Sequence, residues 1–332
     1  MNCKDVQKEV IKNLTEEQNE WLKKKVDLKA KDIRNMLTED IRKTFPGKPK
    51  ESNNHQFLST VNDSRLIYTF IWQCYIKIKA GQLNPIMGNM RSFWYKELGP
   101  LMKRHNIVQT DEGPPIRGLS RGGGRELYLL DKMSKAFDQF ALRAFFKFKG
   151  EFQFQDPREA FRIIGKNKPS HVFFTEKEGL FWLCKQYAKD YGITVIASHG
   201  EPGLLTMEYF ADELKARKVK KVKIASLTDY DPWGFNIAES FAEKLREPIF
   251  GFKQVIQTPL TCMDLFDQAV IDYAKRDLNK VSPSKVKQVD DWMTITHGIK
   301  GERYGMHIDN ANFEKVKIVV EAWFNSGNFE IL

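Results

Sequence analysis

Between residues 169 and 246, short apolar runs alternate with helical stretches, and this alternation restricts the chain to few folds. The runs HVFFTE, ITVIAS and VKIASLTD are rich in β-branched and aromatic residues, and a helical sequence follows each of them. Runs that are apolar throughout are typical of parallel strands buried on both faces. Strands that alternate with helices predict a parallel sheet with helices on both faces.

Acidic residues follow two of these runs. Asp229 ends VKIASLTD, Asp231 lies two residues beyond it, and Glu176 ends HVFFTE. Open α/β sheets bind ligands at the carboxyl edge of their strands, and residues two apart in an extended backbone point the same way. We therefore expect the three carboxylates to converge. Because crowded carboxylates repel and hard oxygen ligands favour Mg²⁺, the pattern predicts a Mg²⁺ site that would also accept Mn²⁺.

The residues after Asp231 suit a tight entry into the next helix. Pro232 would end the strand, Gly234 would permit a close turn, and Trp233 would pack nearby or cover the pocket. The helix N-terminus would then direct its positive dipole and free N–H groups towards the site. An alternative needs no ligand: Asp229 caps the helix and Asp231 forms an Asx turn, so that both act only locally.

Residues 1–150 differ from the rest in charge. They hold 28 Lys and Arg against 17 Asp and Glu, a net of +11, whereas the remainder holds 25 against 26, a net of −1. This excess of positive charge predicts a polyanion-binding region that is joined to a catalytic region. The alternative is a solvated, lysine-rich helical surface.

Local signals in this basic part predict helices. Thr15 and Gln18 fit a capping box, and apolar spacing over 62–82 predicts a helix closed by Gly81. A second helix is expected to begin at the Asn84-Pro85 pair and to end at Gly99-Pro100.

Two further segments, NIVQT and RELYLL, are predicted to be strands that flank the glycine-rich EGPPIRGLSRGGG. Helices followed by a basic hairpin are typical of a winged-helix module, in which Arg117, Arg121 and Arg125 would contact DNA phosphates. The alternative is a surface hairpin without DNA contact.

The expected fold is α/β and α+β multidomain: a helical extension with linker (1–55), a winged-helix, CAP-like domain (56–150) and a parallel α/β domain with a C-terminal extension (151–332).

Several classes of protein do not fit the sequence. It has no uncharged apolar stretch of about 18 residues, and its N-terminus lacks the apolar core of a secretion signal. The four cysteines are scattered, which suits reduced thiols in the cytoplasm and nucleoid or in the nucleus. The G-x-x-x-x-G-K-[ST] loop is missing, so we expect no ATP site in this chain.

Three segments together resemble a known family. FFTEKEGLFWL, SHGEPGLLT and LTDYDPWGFNIA resemble the TOPRIM domain as it occurs in the topoisomerase VI A subunit and its meiotic double-strand-break relatives, over about residues 165–245. The resemblance implies a Rossmann-like TOPRIM fold in which Glu176, Asp229 and Asp231 bind the metal.

The family also carries a nucleophilic tyrosine, four residues after an arginine, in its winged-helix domain. The segment RSFWY, residues 91–95, is similar to that motif, so the resemblance implies Tyr95 as the nucleophile and Arg91 as its partner. Tyr128 in RELYLL is a rival. A third possibility is that Tyr95 is a core residue beside Phe93 and Trp94.

What the resemblance implies is Mg²⁺-dependent cleavage of double-stranded DNA by tyrosine transesterification, with 5′-phosphotyrosyl links, as in a type IIB topoisomerase A subunit. It implies a homodimer, in which the tyrosine of one subunit works with the metal site of the other. A separate GHKL-type ATPase B subunit would drive any strand passage. Two alternatives stay open: a TOPRIM nuclease that uses water, with Tyr95 structural, and a non-catalytic DNA-binding subunit.

Overall fold

The chain divides into two compact units, Met1–Asp156 and Pro157–Leu332. The computed structural model describes residues 2–30, 60–86, 88–104, 125–156 and 158–325.

Unit 1 is helical in its described parts. Among these described residues, the β-type pairing is limited to an isolated bridge between Gly88 and Phe154. Its helices are α1 (Cys3–Lys12), α2 (Glu16–Lys25), α3 (Thr60–Lys79), α4 (Met90–Phe93), α5 (Gly99–Arg104) and α6 (Arg125–Leu142), with π-helical turns at Trp94–Leu98 and Phe148–Phe152.

Aromatic rings fill the core of unit 1. The Phe93 ring lies 5.1 Å from that of Phe137 on α6, and the Phe137 ring lies 5.1 Å from that of Phe152. The two pairs are nearly perpendicular, which is a favoured geometry for aromatic rings. The core therefore fixes α4 against α6, and with it the segment that continues to Tyr95.

Two helix predictions in unit 1 are confirmed. The Thr15 hydroxyl accepts from the Gln18 N–H while the Gln18 side chain accepts from the Thr15 N–H, so the capping box of α2 is complete. Helix α3 covers the apolar pattern, and Gly81 adopts a positive φ of 70° just after it.

Both predicted ends of the next helix are wrong, since the helical segment also continues past Gly99-Pro100 to Arg104. The helix begins at Met90 and not at Asn84-Pro85, because Gly88 adopts a φ of 142° and Asn89 provides the cap, its Oδ1 accepting from the Ser92 N–H.

The predicted wing strand RELYLL is also wrong, because these residues open helix α6. Six residues are too few to distinguish the apolar period of a helix from that of a strand. Over the longer segment the buried residues Leu129, Met133, Phe137 and Phe140 recur at helical spacing. The companion strand NIVQT lies outside the described residues, as does the predicted linker that precedes residue 56.

Unit 2 contains a mostly parallel sheet and its helices. The strands are β1 (Arg162–Ile163), β2 (Lys168–Thr175), β3 (Ile193–Ala197), β4 (Lys221–Leu227), β5 (Gln254–Pro259), β6 (Arg276–Asp277) and β7 (Tyr304–Gly305). The helices are α7 (Phe181–Tyr191), α8 (Leu204–Ala216), α9 (Pro232–Arg246), α10 (Gln268–Ala274), α11 (Pro283–Thr296) and α12 (Phe313–Asn325). Single 3₁₀ turns lie at Glu159–Phe161, Glu178–Leu180, Pro248–Phe250, Met263–Leu265 and Ile308–Asn310.

The five-stranded sheet has the order β1-β3-β2-β4-β5. Strand β2 is parallel to both β3 and β4, and β4 is parallel to β5, whereas the short β1 is antiparallel to β3. The chain passes from β2 to β3 on one side and then returns to add β4 on the other side of β2. The direction of winding therefore reverses between β2 and β4, the position at which such sheets bind ligands.

Alternating side chains of β2 pack against helices on opposite faces. The Phe173 ring lies 5.1 Å from that of Tyr187 on α7, while Phe174 stacks at 4.3 Å on Phe241 of α9. This alternation follows from the two-residue period of a strand. The predicted parallel sheet with helices on both faces is confirmed.

The C-terminal part of unit 2 returns to the sheet. Strands β6 and β7 form an antiparallel pair, and Tyr230 and Met306 exchange both backbone hydrogen bonds, at 2.8 and 3.0 Å. Helix α12 follows this pair in the chain. Among the helices that the structure describes, none combines the length and hydrophobicity needed to cross a bilayer.

Candidate functional site

The predicted acidic residues meet where β2 and β4 end. Thr175 and Leu227, the last residues of these neighbouring strands, are paired in register. Glu176 follows the first and Asp229 lies two residues beyond the second. We call Glu176, Asp229 and Asp231 the acidic cluster; all three are buried, with 8%, 6% and 1% of their surface exposed.

Glu176 bridges the two strand ends. Its Oε1 accepts a hydrogen bond of 2.6 Å from the backbone N–H of Asp229. Burial raises the pKa of Glu176; the hydrogen bond from Asp229 partly offsets this, and the charge of the Asp229 carboxylate adds to the rise. Oε2 accepts no hydrogen bond from the described residues, so one oxygen of Glu176 remains available to a ligand.

Asp231 begins helix α9. Its Oδ1 accepts from the N–H groups of Trp233 and Gly234, at 3.0 and 2.8 Å, and Pro232 occupies the first helical position. A local capping role is therefore present, as the alternative without a ligand expected. The capping residue is Asp231, however, and not Asp229.

Gly234 permits the close turn that its position predicts. A Cβ on Gly234 would lie 2.3 Å from the backbone oxygen of Asp229 and 2.8 Å from its nitrogen. No side chain fits at this position without displacing that backbone. The first turn of α9 can therefore pack directly on the backbone that carries Asp229.

The Asp229 carboxylate is surrounded by donors. Its Oδ1 accepts from the backbone N–H of Ile308 at 2.9 Å, and its Oδ2 lies 3.1 Å from Lys177 Nζ and 3.0 Å from His307 Nδ1. The Tyr230–Met306 backbone pair holds the segment with His307 and Ile308 at this place. The C-terminal part of the chain thus completes the site.

The second oxygen of Asp231 pairs with Arg276, which begins β6. Burial raises the pKa of Asp231, although the N–H of Gly234 and the charge of Arg276 offset part of the rise. The guanidinium also lies 5.8 Å from the centre of the Trp233 ring, and Lys285 Nζ lies 4.9 Å from it. Trp233 therefore packs beneath two cations at the edge of the site.

Lys177 shares its charge between neighbouring acids. Burial lowers the pKa of Lys177, but its hydrogen bond to Asp229 and the nearby charges of Glu176 and Asp309 outweigh burial and raise it. The ammonium therefore offsets part of the negative charge of the acidic cluster.

The carboxylate oxygens of the acidic cluster are the type of ligand that a hard divalent cation prefers. Several of these oxygens already accept hydrogen bonds from other groups of the protein. Among the described residues, no three Asp, Glu, His or Cys side chains already stand as a set that could hold a metal ion. Burial raises the pKa values of Glu176 and Asp231, so their ionised forms need compensation by a nearby positive charge. Mg²⁺ would complete that compensation, provided that Lys177 and Arg276 release their oxygens.

In the protein without divalent metal, we expect Glu176 and Asp231 to contribute a loss of stability as pH rises from the ordinary carboxyl range. Glu176 and Asp231 have folded pKa values above their unfolded ones, so the folded state binds more protons in that window. Their ionisation destabilises the fold between the unfolded pKa, about 4, and the raised folded pKa. Urea unfolding in chelator at stepped pH measures this. Glu176→Gln should flatten the decline; an equally steep decline in the variant would contradict the assignment to Glu176.

Tyr95 and Arg91, on unit 1, are both exposed. Tyr95 lies in the π-helical turn that continues α4 and exposes 54% of its surface, whereas Phe93 and Trp94 are fully buried. The possibility that Tyr95 is a core residue is therefore wrong. Within the segment RSFWY, Phe93 and Trp94 are therefore part of the core, whereas the side chain of Tyr95 is exposed to solvent.

The remaining predicted residues are only partly described. Arg125 and Tyr128 lie in the first turn of α6, so neither is part of a strand. Arg117 and Arg121 lie outside the described residues, and their predicted contacts with DNA phosphates stay predictions.

Sequence reasoning missed four residues of the site: Lys177, His307, Asp309 and Arg276. Lys177 could have been found, because it directly follows Glu176 in the segment TEKEG. The others follow Asp229 by 47 to 80 positions and stand in segments without a distinct motif. Only the Tyr230–Met306 pairing and strand β6 bring them to the acidic cluster.

No protein-family model matches the chain, and neither does any curated protein.

Proposed function

We propose that the protein is a Mg²⁺-dependent, DNA-cleaving tyrosine transesterase, similar to the A subunit of a type IIB topoisomerase. In this proposal unit 2 is a TOPRIM domain, and unit 1 corresponds to the DNA-binding winged-helix domain of the family. The substrate is double-stranded DNA, the acting form is a homodimer, and a separate GHKL-type ATPase subunit would be needed for strand passage.

The observation that carries the proposal is the placement of three buried carboxylates just after the ends of two adjacent parallel strands. Glu176 contacts Asp229 directly, and the charges of Asp229 and Asp231 both act on Glu176. Buried carboxylates are costly unless they are paired or bind a cation. Their position, where the sheet reverses its winding, is the usual ligand site of such sheets.

Exposure of Tyr95 favours a tyrosine nucleophile over a nuclease that uses water. A nucleophilic phenol must reach a phosphate, and 54% exposure permits this. A π-helical turn inside a helix is common at functional positions, and Tyr95 lies in one. The net charge of +11 in residues 1–150 supports contact between unit 1 and the DNA backbone.

In the proposed reaction, Tyr95 Oη attacks a backbone phosphorus. The O–P bond to Tyr95 forms as the P–O3′ bond breaks; Tyr95 loses its proton, and the 3′ oxygen gains one. A 5′-phosphotyrosyl end and a free 3′-hydroxyl result, and no water or ATP is consumed. Arg91 would neutralise charge on the phosphate. Glu176, Asp229 and Asp231 would hold Mg²⁺, which supplies stabilisation of phosphate charge and of the leaving oxygen.

Denaturing gels with end-labelled duplex test the proposal. With Mg²⁺, a 3′-labelled strand should become attached to the protein, whereas a 5′-labelled strand should give only free fragments. Glu176→Gln should lower the adduct by about a hundredfold or more, because one metal ligand loses its charge. Glu243→Gln, at an exposed glutamate of α9, is the matched control and should behave as the unaltered protein. An adduct that forms equally well in chelator, or in Glu176→Gln, would contradict the metal role.

A further inference from the structure

We propose that Lys177 is a positioning residue that holds the Asp229 carboxylate in the metal-free protein and moves to Asp309 when a divalent cation binds. This inference rests on the proposed metal site. Lys177 would thus belong to the site, and its ammonium group would compete with the metal ion for Asp229.

Lys177 stands between two carboxylates. Its Nζ lies 3.1 Å from Oδ2 of Asp229 and 4.0 Å from Oδ2 of Asp309. The Asp229 side chain is 9% exposed and that of Asp309 is 58% exposed. The ammonium therefore hydrogen-bonds to the buried acid and has a solvated acid next to it.

The oxygen that Lys177 occupies is the one a metal would need. Oδ1 of Asp229 accepts a hydrogen bond from the backbone N–H of Ile308, which cannot move away. A metal ion would therefore bind Oδ2, whose lysine donor is a side chain and can rotate. The same Oδ2 also contacts His307. An ammonium and a divalent cation on one oxygen would repel each other strongly, so binding of the cation requires Lys177 to leave.

The second position of Lys177 is fixed by the same turn. Asp309 directly follows Ile308, whose N–H binds Asp229, and both lie in the 3₁₀ turn Ile308–Asn310. The two carboxylates are therefore held near each other, within reach of one lysine side chain. Movement of Lys177 needs side-chain rotation and no rearrangement of the backbone.

Mn²⁺ binding, measured by electron paramagnetic resonance without DNA, tests the exchange. Lys177→Met should tighten binding by about tenfold, because the charged hydrogen bond no longer has to break. Asp309→Asn should weaken binding severalfold while Lys177 is present, and clearly less in the double variant Lys177→Met/Asp309→Asn. Lys189→Met, which removes an exposed lysine at the end of α7, is the matched control and should leave binding unchanged.

The outcomes separate this inference from the proposed function. Damage to the fold would weaken Mn²⁺ binding, so tighter binding in Lys177→Met cannot arise from misfolding. Unchanged or weaker binding in Lys177→Met, or equal effects of Asp309→Asn in both backgrounds, would overturn the role of Lys177 alone. Absence of Mn²⁺ binding in every variant would overturn the metal site and this inference together.

Discussion

Replacement of Tyr95 by phenylalanine is expected to abolish the covalent protein–DNA adduct, lowering it by about a thousandfold or more. The substitution removes only the hydroxyl that would form the bond to phosphorus. Because more than half of the Tyr95 surface is exposed and the neighbouring Phe93 and Trp94 form the core, the fold should not change. Denaturing gels with 3′-labelled duplex and Mg²⁺ measure the loss.

Two further tyrosine variants make this experiment specific. Tyr273→Phe is the matched control, since Tyr273 is almost fully exposed on α10 of unit 2, and it should keep the adduct. Tyr128→Phe tests the rival nucleophile. If the adduct persists in Tyr95→Phe and disappears in Tyr128→Phe, the nucleophile is Tyr128. Cleavage that continues in Tyr95→Phe with free ends would instead identify a nuclease that uses water.

Gly234→Ala is expected to destabilise unit 2 by about 3 kcal/mol. The new methyl group would lie 2.3 Å from the Asp229 oxygen, and the atoms it meets are backbone, so they cannot rotate away as a side chain would. Either α9 must move from the sheet or the backbone at Asp229 must shift. Both changes would disturb the hydrogen bond from the Asp229 N–H to Glu176.

Urea unfolding gives the free energy of unfolding, and Mn²⁺ binding reports on the site. Gly203→Ala is the control, because a Cβ there meets no atom within 4 Å, and the loss of the glycine N-cap of α8 should cost at most about 1 kcal/mol. Gly234→Ala should lower both stability and Mn²⁺ affinity. A variant as stable as the Gly203→Ala control would show that the turn at Asp229 relaxes easily.

Much of unit 2 was predictable because its signals are local. The runs HVFFTE, ITVIAS and VKIASLTD correspond to β2, β3 and β4, and the helices between them were also expected. A strand buried on both faces needs apolar residues throughout, and a helix needs its apolar period, so each element is visible in a short window. The contact between Glu176 and the backbone of Asp229 was expected from their places after neighbouring strands.

Errors arose where a short window was ambiguous. RELYLL has the composition of a strand, and only the continuation to Leu142 shows the helical period. Asn84-Pro85 has the form of a helix start, but the positive φ of Gly88 delays the helix until Asn89 can cap it. In both places, neighbouring residues beyond the motif decided the backbone conformation.

The sequence by itself determined the succession of strands and helices in unit 2 and the placement of Glu176, Asp229 and Asp231 at strand ends. Tertiary structure alone decided that β2 and β4 are neighbours, that Arg276 pairs with Asp231, and that His307 and Ile308 contact Asp229. The physical reason is range. Backbone conformation and side-chain alternation depend on adjacent residues, whereas contacts across 45 to 79 positions exist only once the sheet has assembled and the C-terminal part packs against it.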